Sequence, residues 1–204
     1  NWHDTKRMRI VLGLFAGFWA LIFVAGLANP GYVHYREHVS LLAADGNRLI
    51  WVTTLAILLT AVAQWVAARL FWIVNRPVAL LLVMAGVALC VVAGFRVPCP
   101  EKVKHCTFTV EHTASESVHN AGVVVYAVLT MAAMVILGVV AITQGRHSLV
   151  GIPGLIACAV FALSFSGLLI FPAGLAQRVW IGVGQLWLVA ASFEAEQHRE
   201  RVAA

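Results

Sequence analysis

Of the 204 residues, 61% are hydrophobic and only 11% are charged, which excludes an ordinary soluble domain. The formal net charge is +5, but the basic residues stand singly at the ends of apolar runs. There is no clustered basic groove with interleaved aromatics, so nucleic acid is excluded as a partner. Apolar runs of about 18–25 residues recur, each long enough to cross the ~30 Å hydrocarbon layer as a helix. A membrane barrel would instead alternate polar and apolar positions. The chain is read as all-α: one domain, residues 1–204, a polytopic bundle of six transmembrane helices.

The first helix is predicted over about residues 10–28, behind Lys6, Arg7 and Arg9. Its Gly13-x-x-x-Gly17 step can seat a neighbouring helix closely. The basic start and the small residues around Gly26-Leu27-Ala28 also resemble a signal peptide. The run is long for a signal core, so it is taken as a retained helix. A polar connector follows from Asn29, through Pro30-Gly31-Tyr32 and His34 to Ser40, to a turn at Asp45-Gly46-Asn47.

The second helix covers about 48–74, with Trp51 and Phe71-Trp72 placed as interfacial aromatics and Arg69 able to snorkel. Asn75-Arg76-Pro77 reads as a tight turn, since the residue before proline resists helical geometry. A third helix, about 78–95, leads into a polar island from Arg96 to Asn120. Within it Thr113-x-x-Glu116 fits a capping box. The fourth helix covers 114–143, the fifth 149–171 and the sixth 175–193, and the charged tail from Glu194 reads as exposed or frayed helix.

Six crossings put both termini on one side. That side would hold eight of the fourteen Lys and Arg residues, so the positive-inside rule makes it cytoplasmic. The island, the first connector and Arg178 then share the outer face.

On that face Cys99 and Cys106 flank a short loop, where a disulfide can persist. Closing it would stabilise the fold by roughly 2–3 kcal/mol in the chain-entropy view. A metal pair with histidines and free or redox-active thiols are the alternatives. Cys90 and Cys158 fall inside helices as small core residues.

His112, Glu116 and His119 are spaced four and three apart, so with a helix beginning near Thr113 they share roughly one face. That face suits a metal or a histidine–carboxylate pair, or simply a cap glutamate between interfacial histidines. His119-Asn120 stands at the bilayer edge, where unpaired polar groups are costly. His34 and His38, four apart, form a weak metal-clip candidate, a spacing that also arises by chance. Arg36 and Arg178 suit an anion, by two-pronged recognition of phosphate or carboxylate, or else ordinary headgroup contact and pairing with Glu37 or Asp45. Ser40 with His119 is the obvious nucleophile–base pair, with Glu116 in support, although no oxyanion motif accompanies it. No cofactor motif is visible.

The ordered set Pro30-Gly31-Tyr32, Arg36, Ser40, Val97-Pro98-Cys99, His119-Asn120, Gly174-Leu175-x-Gln177-Arg178 and Trp187 resembles a bacterial and archaeal membrane family, domain of unknown function 998. Members often carry Phe-Pro before an acidic outer loop; here Val97-Pro98 precedes Glu101. The layout is more distantly similar to the Frag/DRAM/Sfk group, which implies lipid handling. The resemblance implies an integral protein of a prokaryotic cytoplasmic membrane and assigns no activity.

The leading expectation is a binding role. Tyr32, Arg36, Ser40, His119, Asn120 and Arg178 would line an outer-face pocket for an anionic lipid headgroup or small amphiphile. The alternatives are a lipid-modifying hydrolase or transferase with His119 as general base, and an accessory subunit of a larger membrane complex. A transporter is disfavoured, because little besides Gln64 and Gln185 is polar near mid-membrane.

Overall fold

The computed structural model describes residues 6–44, 47–98, 114–145, 148–168 and 170–203. Among the described residues there are six helices: α1 Lys6–Ala28, α2 Ile50–Val74, α3 Arg76–Gly94, α4 Ala114–Thr143, α5 Ile152–Phe165 and α6 Ala173–Ala203, with a 3-10 turn at Val39–Ala43. The expected Cys99–Cys106 disulfide, the metal candidate His112 and the Thr113 half of the capping box lie outside the described residues. Cys90 and Cys158 are free thiols.

Four helices, α1 to α4, are long and apolar enough to cross a membrane, because an apolar segment in lipid must pair its amides within itself. The fold is therefore an all-α bundle suited to a membrane location. The other two helices differ from the sequence expectation. α5 has 14 residues and rises only about 21 Å, short of the ~30 Å core. It ends where Gly167 turns the chain at φ +73°, just past Ser164 and Ser166, whose hydroxyls bond the carbonyls of Val160 and Leu163. α6 is long, 31 residues, but Gln177, Arg178 and Gln185 interrupt its apolar surface.

Local chemistry sets the other boundaries. Asn75 is the N-cap of α3: its side chain accepts from the Val78 amide at 3.2 Å, and Pro77 sits in the first turn, where no amide proton is needed. α2 and α3 consequently form a hairpin joined by a single residue, and they share the largest helix–helix interface. Small residues let them close: Ala63, Ala67, Ala79 and Ala85 are fully buried. Gly86 lies under the Trp65 indole, which donates to the Val83 carbonyl at 3.2 Å.

The tail past residue 193 is continuous helix and is docked rather than frayed. The Glu196 carboxylate is buried and accepts from the amides of Arg7 at 2.9 Å and Met8 at 3.2 Å, capping α1. Glu194 accepts from the amides of Leu149 and Val150 ahead of α5. The start of α1 and the end of α6 thus meet at one end of the bundle. In the centre, Gln185 accepts from the Trp19 indole at 2.7 Å and reaches Thr60 at 3.4 Å.

Candidate ligand site at one end of the bundle

The first connector is built by its own polar residues. Pro30-Gly31 occupies the centre of a turn closed by the Tyr32 amide donating to the Asn29 carbonyl at 3.1 Å, with Gly31 at φ +94°. Proline at the second and positive-φ glycine at the third position are what a type II turn demands. Asn29, itself buried, donates to the carbonyls of Ala25 and Arg48 at 2.8 Å and accepts from the Arg48 amide at 2.6 Å. The two ends of the connector are thereby pinned together.

α6 then clamps the connector. Arg178 Nη1 donates to the carbonyls of Glu37 and Gly174, both at 2.9 Å. Its Nη2 donates to the Tyr32 hydroxyl at 2.7 Å and lies 3.4 Å from His34 Nδ1. The backbone of Gly174 and Leu175 donates to the carbonyls of Arg36 and Tyr35. A Cβ on Gly174 would stand 2.4 Å from the Glu37 carbonyl oxygen, so only glycine permits this approach. Gln177 adds an acceptor for the Val39 amide.

The clamp's surroundings shift its titratable groups. Burial, more than the Arg178 charge, holds His34 below the ordinary histidine range. His38 is lowered too, chiefly by desolvation and against a hydrogen bond with Gln177 that favours its charged form. Desolvation raises the Tyr32 phenol despite the opposing pull of Arg178.

His119 stands in the second turn of α4 and is only 2% exposed. Its Nδ1 faces two carbonyl oxygens at the end of α3, Phe95 at 2.7 Å and Val92 at 3.0 Å. Carbonyls only accept, so Nδ1 carries a proton, and in the neutral ring Nε2 holds the lone pair. That Nε2 is buried and has no hydrogen-bond partner among the described residues. Nearby, the Ser115 hydroxyl bonds both backbone groups of Arg96, tying the foot of α4 to the exit of α3.

Beside His119 lies a crevice of about 50 Å³ under the connector. Ser40, Thr60, His119, Gln177 and Tyr126 supply its polar groups; Phe18, Ile57, Leu89, Val92, Trp180 and Ile181 supply most of its walls. Of the residues expected to form one pocket, Ser40 and His119 share this crevice. Tyr32 and Arg178 form the adjoining clamp. Arg36 is exposed, with its guanidinium 5.3 Å from the Tyr35 ring, and Asn120 is exposed on the side of α4 away from His119. Glu116 is half-buried one turn before His119 and does not line the crevice. His34 packs on Gly26 and faces Arg178, while His38 is exposed; among the described residues no group of three or more His, Cys, Asp or Glu converges.

Gln177, Thr60, Tyr126 and Trp180 were not singled out as site residues from sequence. Gln177 had a signal, its position beside Arg178; the other three sit in apolar helices, where a hydroxyl or indole reads as core. A larger cleft of about 1190 Å³ opens at the far end of α4, between Asn75, Gln144, Ser148 and Glu194. It lies roughly 35 Å along the helix from His119 and contains none of the expected site residues. Its carboxylate, Glu194, already accepts two amides.

Among known families, the one described as "Protein of unknown function (DUF998)" matches residues 12–194. Comparison with curated proteins and with solved structures gave no match.

Proposed function

This chain belongs to the DUF998 family of proteins of unknown function, and we propose that it binds a membrane amphiphile, polar end first, in the crevice beside His119. The observation that carries this is the Nε2 of a histidine almost wholly removed from solvent, which has no hydrogen-bond partner among the described residues. A buried polar atom without a partner costs about 1–3 kcal/mol, and a crevice lined by that residue is where a ligand or water would repay it. The crevice walls favour an apolar body, and Ser40 and Gln177 add polar contacts at its upper side.

Arg178 is engaged with four partners of the fold, and Arg36 and Asn120 lie outside the crevice. This favours a small amphiphile over an anionic headgroup gripped by both arginines. In this proposal the crevice faces outward from the cytoplasmic membrane of a prokaryote, as the Lys and Arg bias implies.

Native mass spectrometry of the protein released from nanodiscs tests the proposal, comparing wild type with Val123→Trp, which fills the crevice from α4. Wild type should retain an amphiphile adduct that the variant loses. Equal adducts in both, or none in either, would overturn it.

A second reading rests on the shared crevice of Ser40 and His119: an Nε2 lone pair is the form a general base requires. The protein would then be a lipid-modifying hydrolase or transferase. Fluorophosphonate labelling of Ser40 that disappears in His119→Ala would favour that reading; an unlabelled wild-type Ser40 excludes it.

A further inference from the structure

We infer that the ligand of this crevice is a neutral molecule whose polar end is a hydroxyl donating to His119 Nε2, such as a long-chain alcohol or a monoacylglycerol. This inference deepens the binding proposal above and rests on it. The donor–acceptor inventory of the site sets the chemistry. Nδ1 is fixed as a donor by the Val92 and Phe95 carbonyls, so Nε2 offers only a lone pair and asks for a donor. Fully ionised phosphate and carboxylate oxygens accept only, and meeting them would require an imidazolium. A full charge on a ring 2% exposed among Leu89, Val92, Val123 and Ile181 carries a large desolvation cost.

The remaining polar groups are consistent with a hydroxyl. Gln177 directs its carbonyl oxygen to the Val39 amide, which leaves its NH2 group as a donor. A hydroxyl both donates and accepts, so one oxygen can answer His119 and Gln177 or the Ser40 hydroxyl together. Size agrees as well. About 50 Å³, at roughly 10–15 Å³ per water, admits a hydroxyl with its first few carbons and excludes a bulky headgroup.

The test adds three probes of equal chain length to the full protein in nanodiscs: tetradecanol, tetradecyl methyl ether and tetradecyl phosphate. Affinity is read by competition in native mass spectrometry, and the state of His119 by the 15N shift of Nε2 in wild-type protein. Tetradecanol should bind about tenfold tighter than its ether, which cannot donate, and should move Nε2 upfield as a neutral, hydrogen-bonded ring. His119→Ala should abolish the tenfold preference, and His119→Gln, which retains an acceptor, should keep part of it.

Ether or phosphate binding as tightly as the alcohol, or an imidazolium shift on adding phosphate, overturns the inference and leaves amphiphile binding standing. No binding of any probe in wild type overturns both. A 15N shift that no probe moves means that water alone serves Nε2, which also overturns the inference. The wild-type shift decides the matter even if a variant does not fold.

Discussion

The guanidinium of Arg178 donates to the hydroxyl of Tyr32 at 2.7 Å across 146 residues of sequence. That bond, with those to Glu37 and Gly174, seats the first connector on the N-terminal turns of α6 and roofs the crevice. Tyr32 passes the restraint on, since its hydroxyl donates to the carbonyls of Glu37 and His38. Removing either partner therefore loosens the connector.

Tyr32→Phe should cost about 1 kcal/mol, and Arg178→Ala about 2–4 kcal/mol, because several acceptors lose their donor at once. Thermal unfolding in detergent measures both. In a double-mutant cycle the combined cost should fall short of the sum, as expected for residues sharing one network. Strict additivity would show that the bond contributes nothing.

Gly174→Ala should destabilise by about 1–3 kcal/mol, because its Cβ would meet the Glu37 backbone at 2.4–2.5 Å. Gly13→Ala is the control. Nothing lies within 4 Å of a Cβ there, so the helix should gain up to about 1 kcal/mol. The two melting temperatures should move in opposite directions.

Acid should weaken the clamp. His34 and His38 both titrate below the ordinary value of 6.5 in the folded protein. Between those lowered values and 6.5 the unfolded chain binds more protons than the folded one, so stability falls as pH drops through that window. Below the folded values it levels off. Melting temperature followed from about pH 7.5 to about pH 5 should decline, and His34→Phe should shallow the slope while keeping a ring against Phe23 and Tyr32.

Glu196→Ala should cost about 1–2 kcal/mol, since it strips the cap from the amides of Arg7 and Met8. Limited proteolysis should then cut the α1 start sooner. Glu196→Gln keeps an acceptor and should lose less.

Much of this arrangement is visible in the sequence because polarity stands out sharply in an apolar chain. The four long helices follow from unbroken apolar runs, and Pro30-Gly31 announces its turn. His119, Ser40, Tyr32 and Arg178 are conspicuous for the same reason. What the sequence does not convey is direction. Asn120 neighbours His119 but is exposed, because adjacent residues on a helix point about 100° apart. Arg178 suits an anion by its residue type, and in the fold its guanidinium donates to a carbonyl of a distant connector. The early end of α5 and the docking of Glu196 likewise depend on the left-handed turn at Gly167 and on a remote helix end, which no hydropathy pattern encodes.

The central claim, that an amphiphile seats its polar end beside His119, is tested most directly by photocrosslinking. A long-chain alcohol with a diazirine near its hydroxyl is added to the protein in nanodiscs, irradiated, and the labelled residues are mapped. Label on α4 around Val123 and Tyr126 and on α6 around Trp180 and Ile181, competed away by unmodified alcohol, is the expected result. Label confined to exposed apolar positions such as Ile73 and Leu168, or to the cleft beside Glu194, would contradict it.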